Sequence, residues 1–232
     1  MQELVFMQEK QAYRYNIDTF LLFDFVRRAN VKGRVLDVGC GCGIIGILLK
    51  ANFTSIALSL LDILKQNCIL TQKNLTQNNI KAEVICADFA DYKNDEKFDF
   101  IVSNPPFYRQ GAIESKNKAK KLAKSSKSLN LKSLLNSSNA LLKPQGKLYF
   151  CYEAGALQEL CAVLLEKKFK LTKLVFVHKN QHEKARLLLV EAKKNSKSPC
   201  EISSPLFVYE NEFLSQKMQE IYKSVKVKSI DL

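Results

Sequence analysis

Residues 34–43 read Arg34-Val35-Leu36-Asp37-Val38-Gly39-Cys40-Gly41-Cys42-Gly43. An aliphatic run that gives way to alternating glycines predicts a buried strand, Arg34–Val38, then a sharp turn opening a helix. Outward from this point strand-like and helix-like stretches alternate. The further candidate strands are Ser55–Leu61, Ala82–Ala87, Phe98–Ser103 and Lys147–Tyr152. Between them, Ile63–Asn78 carries Leu64, Cys68 and Leu75 near helical spacing. Leu131, Leu134, Leu135, Leu141 and Leu142 form a second apolar face, stopped by Pro144 and Gly146, and Leu157, Leu160, Cys161, Leu164 and Leu165 form a third. Such alternation predicts a parallel sheet with crossover helices. Two more β-rich runs, Leu171–His178 and Ala185–Ala192, are joined by Lys179–Lys184. That link is too short for a crossover helix, so this pair is expected to be antiparallel. The fold class is therefore α/β: a seven-stranded sheet with an antiparallel edge hairpin and helices on both faces.

The expected organisation is a single domain over 1–232. Residues 1–30 form a helical extension in which Asn16 caps a helix Ile17–Arg28, residues 31–195 form the core, and 196–232 a strap. The strap, with Pro199 and Pro205, is expected to be irregular and closed by a short final helix. Ser115–Ser128 has the composition of a surface segment.

The 232 residues are 47% hydrophobic, 25% charged and 9% aromatic, which excludes disordered, collagen-like and coiled-coil chains. No apolar run approaches the roughly 18 residues of a membrane span. Met1-Gln2-Glu3-Leu4-Val5-Phe6 lacks the basic-then-apolar layout of an export signal. With seven scattered cysteines and no CxxC pair, the expectation is a cytoplasmic protein with reduced thiols, no membrane partner and no metal. Charge is more telling. Lys+Arg 36 against Asp+Glu 23 leaves +13, a balance that attracts polyanions. Arg109–Lys132 carries eight basic residues and one acid, Glu114, and Glu166–Lys197 ten basic residues against Glu166, Glu183 and Glu191. Segments 109–132 and 166–197 are the expected nucleic-acid track.

The glycine turn has GxGxG spacing rather than the GxGxxG of dinucleotide sites, and Asp37 stands at its mouth. A carboxylate there repels a diphosphate but suits an ammonium or sulfonium, such as those of S-adenosylmethionine. Asp62 is the next acid at a strand end, where open α/β sheets place a carboxylate on ribose hydroxyls. Asp88-Phe89 follows the third strand, placed for the amino group and the ring of an adenine. Asp62 and Asp88 fit helix caps equally well, but three acids at successive strand ends on one sheet edge point to a ligand.

Asn104-Pro105-Pro106-Phe107 follows the strand Phe98–Ser103. Pro-Pro also punctuates ordinary loops. Beside a methyl donor the residue types have a chemical use. An exocyclic amine on a purine is a poor nucleophile because its lone pair is delocalised into the ring. The Asn104 side-chain oxygen and the Pro105 carbonyl each accept one of its N–H bonds. The prolines preset these acceptors, and Phe107 offers a stacking face. Neither His178 nor His182 is then needed as a base.

Together DVGCGCGIIG, Asp62, Asp88-Phe89 and NPPF resemble the class I, S-adenosylmethionine-dependent amino-methyltransferases of Rossmann-like fold. Tyr13-Arg14-Tyr15-Asn16-Ile17-Asp18-Thr19, the Gly111 after NPPF, and VFVHKNQHEKARLLLVEAKK at Val175–Lys194 resemble the bacterial tRNA(Val) adenine-N6 methyltransferase family. Where that family carries Arg-His-Glu, this chain has Lys124-Ser125-Ser126. The resemblance implies S-adenosylmethionine as cofactor, held by Asp18, Thr19, Asp37, Gly39, Gly41, Asp62, Asp88 and Phe89. It implies Asn104, Pro105, Pro106 and Phe107 as the catalytic set, and tRNA as partner, methylated at N6 of the adenine beside the anticodon. Protein glutamine N5-methylation and guanine-N2 methylation of ribosomal RNA are alternatives that use the same tetrapeptide, and a non-catalytic RNA-binding module is a third.

Overall fold

A computed structural model describes residues 3–8, 15–105 and 129–231. Its strands are β1 (Leu4–Gln8), β2 (Arg34–Val38), β3 (Ala57–Asp62), β4 (Glu83–Cys86), β5 (Phe98–Ser103), β6 (Leu142–Glu153), β7 (Phe169–His178) and β8 (Ala185–Lys194). Five short ones follow: β9 (Glu201–Ile202), β10 (Leu206–Phe207), β11 (Tyr209–Glu210), β12 (Phe213–Leu214) and β13 (Val227–Asp231). The helices are α1 (Ile17–Arg27), α2 (Ile44–Asn52), α3 (Lys65–Gln77), α4 (Leu131–Leu141), α5 (Leu157–Glu166) and α6 (Gln216–Ser224).

The central sheet runs in the order β4-β3-β2-β5-β6-β8-β7. β2 to β6 pair in parallel, and β8 lies antiparallel between β6 and β7. The seven expected strands are all present, with the hairpin at the edge. β9 and β10 add short parallel pairings to β7.

Side chains alternate along each strand, so one aliphatic run feeds two cores. Val35, Leu58, Leu60 and Val102 join the helices α1, α2 and α3 on one face. Leu36, Val38, Leu61 and Ile101 join α4 and α5 on the other. Asn16 caps α1 as expected, accepting from the Thr19 N–H while the Thr19 side chain accepts from the Asn16 N–H.

Both termini differ from expectation. Leu4–Gln8 is a strand, not part of a helical extension, and it pairs in parallel with β13. Its other edge is satisfied by side chains of α3: Asn74 and Asn78 bond the backbone N–H and C=O of Met7 and Val5. The strap likewise does not end in a helix, since β13 follows α6. A five-residue strand whose partner lies 223 positions away has no local signal in the sequence. Among the described residues no helix is long and apolar enough to cross a membrane.

Candidate active site

Strand register builds the site. Val38 pairs with both Ser103 and Leu61, and Asp62 pairs with Cys86. The carboxyl ends of four adjacent strands therefore present Asn104, Gly39, Asp62 and Ala87–Asp88 in one row, each a strand spacing of about 4.8 Å from the next. The row lies where β2 is flanked by β3 and β5, the switch point at which open α/β sheets bind ligands.

The glycine turn is closely braced. Gly39 and Cys40 donate their N–H groups to the Leu61 carbonyl. Gly41 donates to Asp62 Oδ2 at 2.9 Å, and Asp62 also accepts from the Leu64 N–H at 2.8 Å and Asn67 Nδ2 at 3.1 Å. Gly41 has φ +60°, and a Cβ there would meet nothing within 4 Å, so the turn opens onto free space. Gly43 has φ +82°, and a Cβ there would come within 2.9 Å of Thr71 Cγ2, so only glycine fits.

Sequence reasoning missed the source of this bracing. Asn67, Thr71 and Asn74 of α3, with its C-cap Asn78, form one polar stripe at helical spacing. Thr71 Oγ1 donates to the Gly41 carbonyl at 2.9 Å and Asn74 Nδ2 to the Cys42 carbonyl at 2.9 Å. The stripe was legible as a run of polar residues four, three and four apart, in a helix otherwise read for its apolar positions.

Asp37 is 2% exposed, and its Oδ2 accepts from the Gly46 N–H at 2.8 Å, tying the strand end to α2. Burial pushes its carboxyl up to about 7; the Gly46 hydrogen bond opposes this and the nearby Asp62 adds to it. Burial likewise raises Asp62, against its three hydrogen bonds. Burial holds the neighbouring thiols protonated, Cys42 being pushed up to about 12. Asp88 is half-buried and accepts from the Ala90 N–H at 2.9 Å, the bond of a turn residue. Phe89 is buried in the same cluster as Val38 and Leu61. Residues 35–49 contain acid but no Lys or Arg. A rim of carboxylates around an open glycine turn fits a cationic donor with ribose hydroxyls and does not fit a diphosphate.

The acceptor side is assembled from distant segments. Pro105 is buried and Asn104 half-buried. Asn104 Nδ2 donates to Thr19 Oγ1 at 3.4 Å, which leaves Oδ1 as the end of the carboxamide without a partner among the described residues. Asp18, next to Thr19, pairs with Arg186 of β8 at 2.7 Å. Thus Asp18 and Thr19 meet Arg186 and Asn104, an arrangement no local spacing in the sequence discloses. Pro106, Phe107, Gly111 and 109–128 of the first basic segment lie outside the described residues. In the second segment Lys167, Lys173, Lys179 and Arg186 are each ion-paired with an acid, and Lys194 bonds the Asn139 and Leu142 carbonyls. The nucleic-acid track expected from the sequence is correspondingly thinner than the raw charge count. His178 Nδ1 is engaged with the Glu183 carbonyl at 2.8 Å.

This strand order, with the antiparallel β8 beside the edge and the glycine turn answered by an acid on the next strand, defines a class I, S-adenosylmethionine-dependent methyltransferase of Rossmann-like fold. The chain belongs to the methyltransferase small domain family, whose profile matches residues 13–183. Among curated proteins it is similar to the ribosomal RNA small subunit methyltransferase C of Haemophilus ducreyi, 42% identical over 88 residues, or 38% of this chain and 26% of that protein. The same enzyme of Pasteurella multocida is 42% identical over 79 residues, covering 34% and 24%. The matched segment thus spans about a quarter of the length of these relatives. Their names are of ribosomal RNA enzymes, so the tRNA(Val) resemblance of the flanking segments gains no support from them.

Among solved structures, a predicted O-methyltransferase from Agrobacterium tumefaciens superposes with TM-score 0.70 at 18% identity, covering 93% of this chain and all of that one. The T. Thermophilus 16S rRNA N2 methyltransferase, solved with AdoMet and guanosine, gives 0.58 at 22% identity over 80% of this chain and 45% of that one. At such identities these two likenesses establish the fold.

Proposed function

We propose that this protein transfers the methyl group of S-adenosylmethionine to an exocyclic amine of a purine in RNA, with guanine N2 of small-subunit ribosomal RNA as the acceptor. The observation that carries the reading is Asn104, set at the end of β5 beside the glycine turn with its carboxamide oxygen unpartnered among the described residues. The names of the curated relatives, the guanosine in the T. Thermophilus structure and the net charge of +13 support the acceptor.

When bound, the donor supplies an electrophilic methyl on a sulfonium. Asp62 and Asp88 are assigned to its ribose and adenine, Gly39 and Gly41 to close backbone approach, and Asp37 to the charge of its methionine end. Phe89 backs the adenine side from the core, and Asp18 and Thr19 border the methionine end. Asn104 Oδ1 and the Pro105 carbonyl accept the two N–H bonds of the acceptor amine and aim its lone pair along the line of transfer. Pro106 and Phe107 are assigned, from the sequence, to stiffening the tetrapeptide and to stacking on the base. The proton displaced on methylation leaves to solvent, because an exocyclic N-methylammonium on an electron-poor purine is strongly acidic, and no side-chain base is required.

A second reading, adenine N6 in tRNA, draws on the segments Tyr13–Thr19 and Val175–Lys194. Incubation with labelled donor and separate ribosomal RNA and tRNA fractions from a deletion strain, followed by nucleoside mass analysis, distinguishes them. N2-methylguanosine in the ribosomal fraction is expected. N6-methyladenosine in tRNA establishes the second reading, and label found in protein alone overturns both.

A further inference from the structure

We infer that Arg186 is a positioning residue for methyl transfer, acting through the first turn of α1 to hold the Asn104 carboxamide with its oxygen toward the acceptor. The inference rests on the role proposed for Asn104 and concerns what keeps that residue in place.

The links are few and specific. Arg186 Nη2 donates to Asp18 Oδ1 at 2.7 Å across 168 positions of sequence. The Asp18 side chain is 10% exposed, that of Arg186 36%. Asp18 stands in the first turn of α1, where the helix end favours a carboxylate, and a poorly solvated carboxylate also requires a counter-charge. Arg186 supplies it from β8 and so moors the helix start to the sheet. The Cys151 thiol of β6 adds a contact to the Asp18 carbonyl at 4.0 Å.

One residue on, Thr19 is 2% exposed, and its Oγ1 accepts both the Asn16 N–H and Asn104 Nδ2, each at 3.4 Å. Two lone pairs take two donors, and the carboxamide is left with Oδ1 for the substrate. Arg186 and Thr19 therefore bracket one helical turn. If the ion pair is lost, the turn shifts and takes the Thr19 anchor with it. Asn104 directly follows Ser103, the last residue of β5, and among the described residues the Thr19 hydroxyl is the side chain that bonds its carboxamide.

The test measures kcat and KM on the RNA fraction that accepts label, the Kd for S-adenosylhomocysteine by calorimetry, and the side-chain NH2 resonances of Asn104 by NMR. For Arg186→Gln, a misplacement of the acceptor-binding group is expected to lower kcat by about 10- to 100-fold. KM and the S-adenosylhomocysteine Kd should stay within about three-fold, and the Asn104 resonances should shift. Asp18→Asn/Arg186→Gln, which leaves no lone buried ion, should show the same loss of kcat and the same shift of the Asn104 resonances, and guards against a folding artefact. Thr19→Val should match it in those two readouts, and Thr19→Ser should restore kcat.

A raised KM with intact kcat and unmoved Asn104 resonances makes Arg186 a phosphate contact and overturns the inference. Loss of S-adenosylhomocysteine binding in parallel with kcat overturns it as well, since Arg186 then serves the donor. If the native protein labels no RNA, the proposed function fails, while the NMR comparison still decides whether Arg186 governs Asn104.

Discussion

The two halves of the site are held by different means. On the donor side, Asp62 alone accepts three hydrogen bonds and the polar stripe of α3 ties down the Gly41 and Cys42 carbonyls. On the acceptor side the Asn104 carboxamide makes one bond to a described residue, Thr19, in a helix start that the Asp18–Arg186 ion pair moors to β8. The contrast teaches that the donor cradle is preformed from a stretch of about 40 residues, whereas the acceptor corner depends on three segments meeting. A preformed cradle lowers the ordering cost of donor binding. On the proposed function, a lightly held acceptor corner leaves room for a bulky RNA to seat its base.

The sharpest way to break this comparison is Asn104→Ala. Removing a group that acts in the transition state is expected to cost about 10³-fold in kcat, with S-adenosylhomocysteine affinity unchanged by calorimetry. Lost donor binding in that variant erases the division into halves. Next in size is Asn74→Ala, which leaves the Cys42 carbonyl and the Met7 N–H without their partners. Urea denaturation should show a loss of about 3 kcal/mol. A loss under about 1 kcal/mol means that the stripe is dispensable to the cradle.

Asp62→Asn keeps the size of the side chain but turns one acceptor oxygen into a donor facing backbone N–H groups. Donor affinity is expected to fall by about 2 kcal/mol, roughly 30-fold, with kcat at saturation little changed. A kcat effect without an affinity effect reverses the roles of the two sides.

The smallest effect expected is in the pH dependence of donor affinity. Because burial raises Asp37 in the folded chain from 3.8 to about 7, the folded state holds a proton across that window which the unfolded state has released. Stability from this group therefore falls as pH rises from about 4 to 7. A bound ammonium or sulfonium favours the ionised carboxylate, so donor affinity should move the other way, rising towards pH 7 and levelling above it. Calorimetric titration should find the rise, under about ten-fold, and Asp37→Asn should flatten it. An identical profile in that variant assigns the titration elsewhere.

Much of the sheet could be read because each parallel strand is buried on both faces and shows as an aliphatic run. Leu36 and Val38 face one core and Val35 the other, yet all three are apolar for the same reason. The hairpin β7–β8 was legible because six residues cannot hold a crossover. Asp37, Gly39, Gly41 and Asp62 lie within 26 positions of one another, and strand ends in an open sheet share one edge. β1 escaped notice because its ladder partners are β13 and two asparagine side chains of α3. Arg186 escaped notice because a lone arginine in an apolar run carries no pattern. The expected tRNA acceptor rested on the flanking segments, and the relatives favour ribosomal RNA instead.

The order of residues along the chain, by itself, determined the layered α/β architecture, the glycine turn and the placing of Asn104 at the end of a strand beside it. These depend on local periodicity and on where strands end. Folding alone decided that Thr19, Asn104 and Arg186 converge, that α3 clamps the turn, and that four of the ten cations of segment 166–197 are paired with acids. Such pairings join residues as much as 168 positions apart, and only the packing of helix against sheet sets which distant side chains come within reach.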